Sequence, residues 1–322
     1  MQMETLIIHQ AVVSGQGEDS FAVSKIGNRL LLCAADGCGG LGSKRYACGS
    51  TGARIASRTA AETIQGWERI TDIPPDGDAA RFWLDELQFL LDNAFRQKAE
   101  EHCKEDSPSR IVGSMQRTLP TTVCAFSADN TSGCGAFFWA GDSRGYTLDA
   151  EGLHQYTRDD ARGNPDAYEG LLLDRPLTNF VSADRGSHLS GCGLSLPEKG
   201  LLLCATDGVY HLASSPMELE MLLLDTLLHA RSMAGWQKQL EKRLCPHLQD
   251  DTTLLCQPRG FSSFREMQQY FRPRCRLLKD EYIKPIQRRN HGQETVRSLW
   301  QRYRIGYDRT EGTAHERTNW RV

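Results

Sequence analysis

Leu30-Leu-Leu-Cys-Ala-Ala-Asp36-Gly37 and Leu201-Leu-Leu-Cys-Ala-Thr-Asp207-Gly208 are one octet written twice with a single change. Each reads as a short apolar strand, buried on both faces and stopped by a turn dipeptide. Each therefore carries a carboxylate to the end of a buried strand. A third apolar run, Ala136-Phe-Phe-Trp-Ala140, ends at Gly141-Asp142. A fourth starts at Thr253 just after Asp250-Asp251, and a fifth starts at Ser20 just after Glu18-Asp19. If neighbouring strands run antiparallel, the end of one lies beside the start of the next. Glu18, Asp36, Asp142, Asp207 and Asp250 then meet at one sheet edge. Such a cluster of like charges is strongly destabilising unless cations neutralise it. All-oxygen donors favour hard ions such as Mg²⁺ or Mn²⁺ over zinc. A lone Asp-Gly carries no such message: Asp76-Gly77, beside two prolines, reads only as a turn.

Outward from the octets, Leu6–Val13 and Ser20–Ser24 read as strands across a polar turn. Thr121–Ser127, Ala136–Ala140 and Gly145–Leu148 are further strands, the last joined through Asp149-Ala-Glu-Gly152 to Leu153–Tyr156 as a hairpin. Thr253–Gln257 is the final strand. Ala47, Gly52, Ala53, Ala56 and Ala60 share a helix face whose lack of bulk allows close packing on a sheet. Leu84, Leu87, Leu91, Ala94 and Phe95 mark an amphipathic helix, and Ile73-Pro-Pro-Asp-Gly77 separates the two. Met217–Leu228 and Trp236–Arg243 predict two more helices. The Gly-, Asp- and Pro-rich stretch 158–195 reads as a long functional loop with short helical pieces. Runs of strands and helices without regular alternation predict an α+β layered sandwich of mainly antiparallel sheets.

The 322 residues are 39% hydrophobic and 25% charged, an ordinary composition for a soluble chain. No apolar run approaches the ~20 residues that span a bilayer. The first ten residues have no basic region and only a short apolar run, so a signal peptide is not expected and a cytoplasmic location is. Eleven cysteines include no Cys-x-x-Cys pair, and Cys33, Cys124, Cys204 and Cys256 lie in apolar runs. They read as buried reduced thiols. Cys245 and His247 lack a second ligand pair for zinc. The net charge of −3 hides a split: from Arg259 onward 15 Lys+Arg face 7 Asp+Glu, leaving −11 on residues 1–258. The chain thus divides into a carboxylate-rich domain, 1–258, and a basic, aromatic-rich helical extension, 259–322. Helices are expected at Ser262–Phe271 and Arg276–Tyr303, with a break at Arg272-Pro273. Interleaved Arg and aromatic residues can serve single-stranded nucleic acid. Packing against the acidic domain, or docking of a partner protein, accounts for them more simply.

The ordered set Glu18-Asp19-Ser20, Asp36-Gly37-x-Gly39-Gly40, Thr121-Thr122, Gly141-Asp142-Ser143-Arg144, Thr206-Asp207-Gly208 and Asp250-Asp251-x-Thr253 resembles the PP2C (PPM) family of metal-dependent serine/threonine protein phosphatases. The resemblance covers residues 1–258. It implies a β-sandwich flanked by helical layers, with two Mn²⁺ or Mg²⁺ ions and a weaker third. Asp36 would bridge the two ions, with the Gly37 carbonyl and Glu18 completing one site and Asp207 and Asp250 the other. Asp142 would serve the third ion, and Asp19 would orient metal-bound water. A bridging water would attack the phosphorus of phosphoserine or phosphothreonine in line. The implied substrate is a phosphoprotein, and 158–195 would be a flap beside the cleft. The alternative is a phosphatase-fold regulator of low turnover that binds a phosphoprotein or partner protein.

Three positions depart from the family pattern. Ser14 stands where many members carry a phosphate-binding Arg, and Lys44, Arg45 or Arg185 are candidates to replace it. Cys38 stands where relatives can carry a proton-donating His. The last motif reads Asp-Asp, with Asp250 taken as the ligand. Two other patterns fail on context. Gly37-Cys-Gly39-Gly-Leu-Gly42, with Glu62 beyond, matches a dinucleotide fingerprint, but Asp36 would repel a pyrophosphate and no βαβ pattern follows. Gly141-Asp-Ser143-Arg-Gly145 matches a nucleophile elbow, but a strand follows it where that motif needs a helix.

Overall fold

Burial of the two octets takes two sheets rather than one. The computed structural model describes residues 3–70, 77–103, 117–173, 175–184, 188–288, 293–309 and 319–321. Its strands are β1 (Leu6–Gln10), β2 (Ser20–Ile26), β3 (Arg29–Ala35), β4 (Val123–Asp129), β5 (Cys134–Ala140), β6 (Arg144–Leu148), β7 (Leu153–Gln155), β8 (Ser190–Ser195), β9 (Gly200–Ala205), β10 (Thr252–Arg259) and β11 (Asn319–Arg321). Its helices are α1 (Gly52–Ile70), α2 (Gly77–Cys103), α3 (Glu169–Leu172), α4 (Asp207–Tyr210), α5 (Pro216–His229), α6 (Met233–Leu244), α7 (Phe264–Leu278), α8 (Lys284–Gln287) and α9 (Gln293–Tyr307). One sheet has the order β1-β10-β9-β6-β7 and the other β11-β8-β5-β4-β3-β2, with every pairing antiparallel. The first octet is β3 in one sheet, and the second is β9 in the other. Leu30, Leu32 and Ala34 meet Leu202 and Cys204 in the core between them. The predicted α+β sandwich is the observed architecture.

Each sheet's outer face carries helices. Ala56, Ala60 and Ile64 of α1 and Leu84, Leu87, Leu91 and Phe95 of α2 share one core with Leu31, Cys33 and Phe138. The small residues let α1 lie close on β2 and β3. On the other side, α6 packs on β1 and α5 packs against α6 and α7, and the extension joins the same core through Met267, Phe271, Trp300, Tyr303 and Tyr307. These aromatic side chains are thus spent inside the molecule. Among the described residues no helix is long and apolar enough to cross a membrane.

Several expectations shift. The first strand stops at Gln10, because Val12 and Val13 are about half exposed and the Val12 N–H is taken by Asp251 Oδ1 at 2.9 Å. Ala47 precedes α1 rather than belonging to it. Residues 158–195 were expected as loop, but they close with β8, whose Cys192 and Leu194 are buried between β5 and β11. Two glycines in Ser-Gly-Cys-Gly-Leu-Ser mask its strand signal. Pro273 does not break the extension: α7 runs through it to Leu278. Met267, Phe271, Cys275 and Leu278 bury one face, while Pro273 and Gln269, whose carbonyl loses its partner, face solvent. The expected single helix over Arg276–Tyr303 is divided into α7, a π-turn at Lys279–Ile283, α8 and α9. Of the predicted Ile73–Gly77 break, residues 73–76 lie outside the described set.

Glu68 on α1 is buried against β4, with Oε2 accepting from Ser127 Oγ at 3.0 Å and Oε1 unpartnered. Burial pushes its carboxyl up to about 7, outweighing the Ser127 hydrogen bond and the Arg29 charge. Between about 4.5 and 7 the folded state holds a proton that the unfolded chain releases. Stability therefore falls as pH rises through that window, by up to about 3 kcal/mol. Thermal melts from pH 5 to pH 8 should show this decline in the native protein and a flatter profile in Glu68→Gln. Parallel profiles would refute it.

Candidate active site

The antiparallel pairings bring the predicted carboxylates to one end of the sandwich. Asp36 follows β3, Asp142 precedes β6, Asp207 opens α4 after β9, and Asp250 precedes β10; Glu18 and Asp19 precede β2. A cleft of about 740 Å³ is lined by Glu18, Asp36, Gly37, Asp142, Asp207, Asp250 and Asp251. Asp19 lies behind them, buried. The carboxylates come from both sheets, which the sequence reading had placed at one sheet edge.

Neighbouring groups hold each of them. The Asp36 carbonyl accepts from Thr122 N–H at 2.8 Å and Thr121 Oγ1 at 2.6 Å, so Thr121-Thr122 fixes the end of β3. Glu18 Oε1 accepts from Thr51 at the start of α1, and the Glu18 carbonyl accepts from Ser57. A Cβ on Gly39 would strike Glu18 Oε2, so a side chain there would displace that carboxylate. Asp19 Oδ2 accepts from Thr206 Oγ1 at 2.9 Å and Thr253 Oγ1 at 2.7 Å, tying β9 to β10. Asp251 Oδ1 and Oδ2 accept the N–H groups of Val12 and Glu18. Asp251 is thus occupied with holding the N-terminal loop. Gly208 lies so close to the Asp251 carbonyl that no side chain fits.

Arg144, which the sequence pattern reads as a buried or ion-paired arginine, is both, and it braces Asp142. It is fully buried and makes a bidentate pair with Asp159 at 2.9 and 2.7 Å. Its guanidinium lies 3.7 Å from the Tyr210 ring centre, and Tyr210 Oη donates to the Asp142 carbonyl at 2.9 Å. The flap is fastened at the same place, with Asp160 N–H donating to the Gly141 carbonyl and Asp160 Oδ2 accepting from Gly141 N–H. Further along, Asp166 Oδ2 accepts from Trp300 Nε1 at 3.0 Å and Arg304 Nη1 at 3.2 Å, so α9 of the extension holds the flap.

The charges in the cleft are unbalanced. Burial raises the carboxyls of Asp36 and Asp207 well above the usual range, and repulsion from Asp19, Asp142 and Asp250 adds to it in both. Burial likewise raises Asp19 to about 7 against the hydrogen bonds from Thr253 and Thr206. Burial, then Asp36, Asp142 and Asp207, pushes the Cys38 thiol up, so it stays protonated at neutral pH. Asp19 Oδ1 and Asp207 Oδ1 are buried without a hydrogen-bond partner. Unpartnered carboxylate oxygens among like charges fit hard divalent cations, although the Cys38 thiol lines the same cleft and His211 Nδ1 lies 3.6 Å from Asp207 Oδ2. Among the described residues no three Asp, Glu, His or Cys side chains are gathered round one point as they stand.

Ser14 sits exposed on a turn where Arg54 Nη1 donates to the Gly15 carbonyl at 2.8 Å. Beside it lies a separate hollow of about 530 Å³ lined by Arg54 and Arg58. Lys44 stacks on Tyr46 at 5.0 Å and Arg45 bonds the Gly49 carbonyl; neither lines the carboxylate cleft. Arg185 lies outside the described residues. The arginines that do line the cleft are Arg117, Arg162 and Arg175. No sequence motif marks them.

No protein-family profile matches this chain, and no curated protein matches it in sequence. Solved structures do match in shape. The serine/threonine phosphatase Stp1 from Staphylococcus aureus superposes with a TM-score of 0.58 at 17% identity, covering 80% of this chain and 95% of its own. The Mycobacterium tuberculosis serine/threonine phosphatase PstP/Ppp gives 0.55 at 17%, covering 81% and 100%. The fold is that of the PP2C phosphatases. PppA, a regulatory component of the Pseudomonas aeruginosa type VI secretion system, gives 0.52 at 20%, covering 80% and 97%. At these identities the PP2C likeness establishes architecture; chemistry has to be argued from the residues.

Proposed function

We propose that this chain is a Mn²⁺- or Mg²⁺-dependent protein phosphatase acting on phosphoserine and phosphothreonine. The observation that carries the reading is the convergence of Glu18, Asp36, Asp142, Asp207 and Asp250 from two sheets, with Asp207 Oδ1 buried and unpartnered. Asp36 would bridge two ions, Glu18 and the Gly37 carbonyl would complete one site, and Asp207 with Asp250 the other. Asp250 is preferred to Asp251 because both Asp251 oxygens already accept backbone N–H groups. Asp142 would serve a weaker third ion. The ions would supply an activated bridging water for in-line attack and neutralise the phosphoryl oxygens. Asp19, with its Oδ2 held by Thr206 and Thr253 and its Oδ1 unpartnered, would orient water at this site. Cys38, held as a thiol, has a proton within the cleft.

Residues 1–258 carry this chemistry, and we read 259–322 as a brace for the flap. A partner docking through Phe271, Trp300, Tyr303 or Tyr307 would have to compete with the core they already fill. Thiol cysteines, most of them buried or partly buried, agree with a cytoplasmic location. The test is hydrolysis of a small aryl phosphate by chelator-stripped protein with and without Mn²⁺: turnover should appear only with metal. Turnover unaffected by chelation would overturn the metal mechanism. Ser14, exposed and without a guanidinium, motivates one rival, a low-turnover regulator that binds phosphoproteins; brisk turnover of a phosphopeptide would exclude it.

A further inference from the structure

We infer that the cleft selects phosphopeptides with acidic residues flanking the phosphorylated one, read by Arg117, Arg162 and Arg175. The inference rests on the phosphatase reading for the phosphopeptide itself and adds the substrate class. All three arginines line the carboxylate cleft. Arg117 reaches it from beside the glycine loop and Arg162 and Arg175 from the two limbs of the flap. Arg117 N–H donates to the Leu41 carbonyl at 2.9 Å, fixing it against the glycine loop that follows Asp36. Arg162 N–H donates to the Pro176 carbonyl at 3.0 Å, and Arg175 Nη1 donates to the Arg162 carbonyl at 3.3 Å. The two limbs of the flap are thereby closed on each other, presenting both guanidiniums at one rim.

Some arginines of this protein are paired with buried carboxylates, as Arg144 with Asp159 and Arg274 with Glu220. Among the described residues these three are in no ion pair, although the cleft floor beside them is rich in carboxylates. The floor's charge is complementary to cations. The rim guanidiniums are left for anions that arrive with the substrate. A guanidinium holds a carboxylate through two parallel hydrogen bonds, whereas a basic side chain beside the phosphoresidue would meet like charge. Leu177 and Phe180 add an apolar wall for the peptide chain between the arginines.

The experiment uses the full chain loaded with Mn²⁺ and three phosphoserine peptides of one sequence, flanked by Asp, Asn or Lys. The ratio kcat/KM should rank Asp above Asn above Lys, by roughly three- to tenfold per step at low salt, and shrink at 0.5 M salt as exposed pairs are screened. In Arg162→Gln/Arg175→Gln the Asp-to-Asn ratio, taken within that one variant, should fall toward one; in the doubly Lys-substituted protein it should persist. Binding of the three peptides as thiophosphates, by fluorescence anisotropy, is read in parallel. Equal kcat/KM and equal binding across the peptides would overturn the inference even with brisk aryl phosphate turnover. Ranked binding without Mn²⁺-dependent turnover would support the recognition and remove the phosphatase reading.

Discussion

Asp207→Asn is expected to lose Mn²⁺-dependent hydrolysis by on the order of a thousandfold, while the metal-free variant melts at a higher temperature than the metal-free native protein. The two effects share one cause. Asp207 lines the cleft with Oδ1 buried and without a hydrogen-bond partner, and Asp142, Asp250 and Asp19 all act on it as like charges, with the partly exposed His211 ring near Oδ2. Without cations an ionised Asp207 therefore costs folding free energy, and the neutral amide relieves it. With Mn²⁺ saturating, the order should reverse, because the variant loses a ligand and the native protein gains stability from binding. Melts of both proteins, stripped and then Mn²⁺-loaded, would show the crossing. A metal-free Asp207→Asn that melts lower than the native protein would mean that its carboxylate is stabilised by protein groups alone. That result would weaken the metal centre more directly than a loss of activity could strengthen it.

The strand ends were legible in the sequence because their chemistry is local. An apolar run long enough to cross a sandwich, stopped by Asp-Gly, states both its burial and the place of its carboxylate, as β3 and β9 show. Which sheet each strand enters was not legible, since the two octets are almost identical and pairing is decided by partners far along the chain. Cys192 and Leu194 of β8 were hidden by flanking glycines, whose strand character comes only from the ladders of β5 and β11. Pro273 misled in the opposite direction: a local breaker was overridden by four buried side chains on the far side of α7. The rim arginines were invisible for a third reason. Arg117, Arg162 and Arg175 lie in segments without periodicity, and only the backbone bonds between the limbs of the flap and the glycine loop bring them to one cleft.

Arg274→Ala should destabilise the protein by about 3–5 kcal/mol, lowering the melting temperature by roughly 5–10 °C. Glu220 on α5 is fully buried, and Arg274 on α7 meets it with Nε at 2.6 Å and Nη2 at 2.9 Å. Tyr303 on α9 donates its hydroxyl to the same carboxylate. One buried charge thus joins three helices, two of them from the extension. Removing the guanidinium leaves a carboxylate in an apolar core with a single phenol as partner, and the full desolvation cost is then exposed. Replacing the whole group is a different matter: Glu220→Leu, Arg274→Met and Tyr303→Phe together put apolar volume where the network was. That triple variant should melt within a few degrees of the native protein or above it, because good packing offsets what the ion pair contributed net. Chemical denaturation of the single and triple variants decides between the two costs. A single variant within about 1 kcal/mol of the native protein would place Glu220 in contact with water and would detach the extension from the core as a structural element. A triple variant as unstable as the single one would make the polar network itself, rather than its burial, the source of the cohesion between α5, α7 and α9.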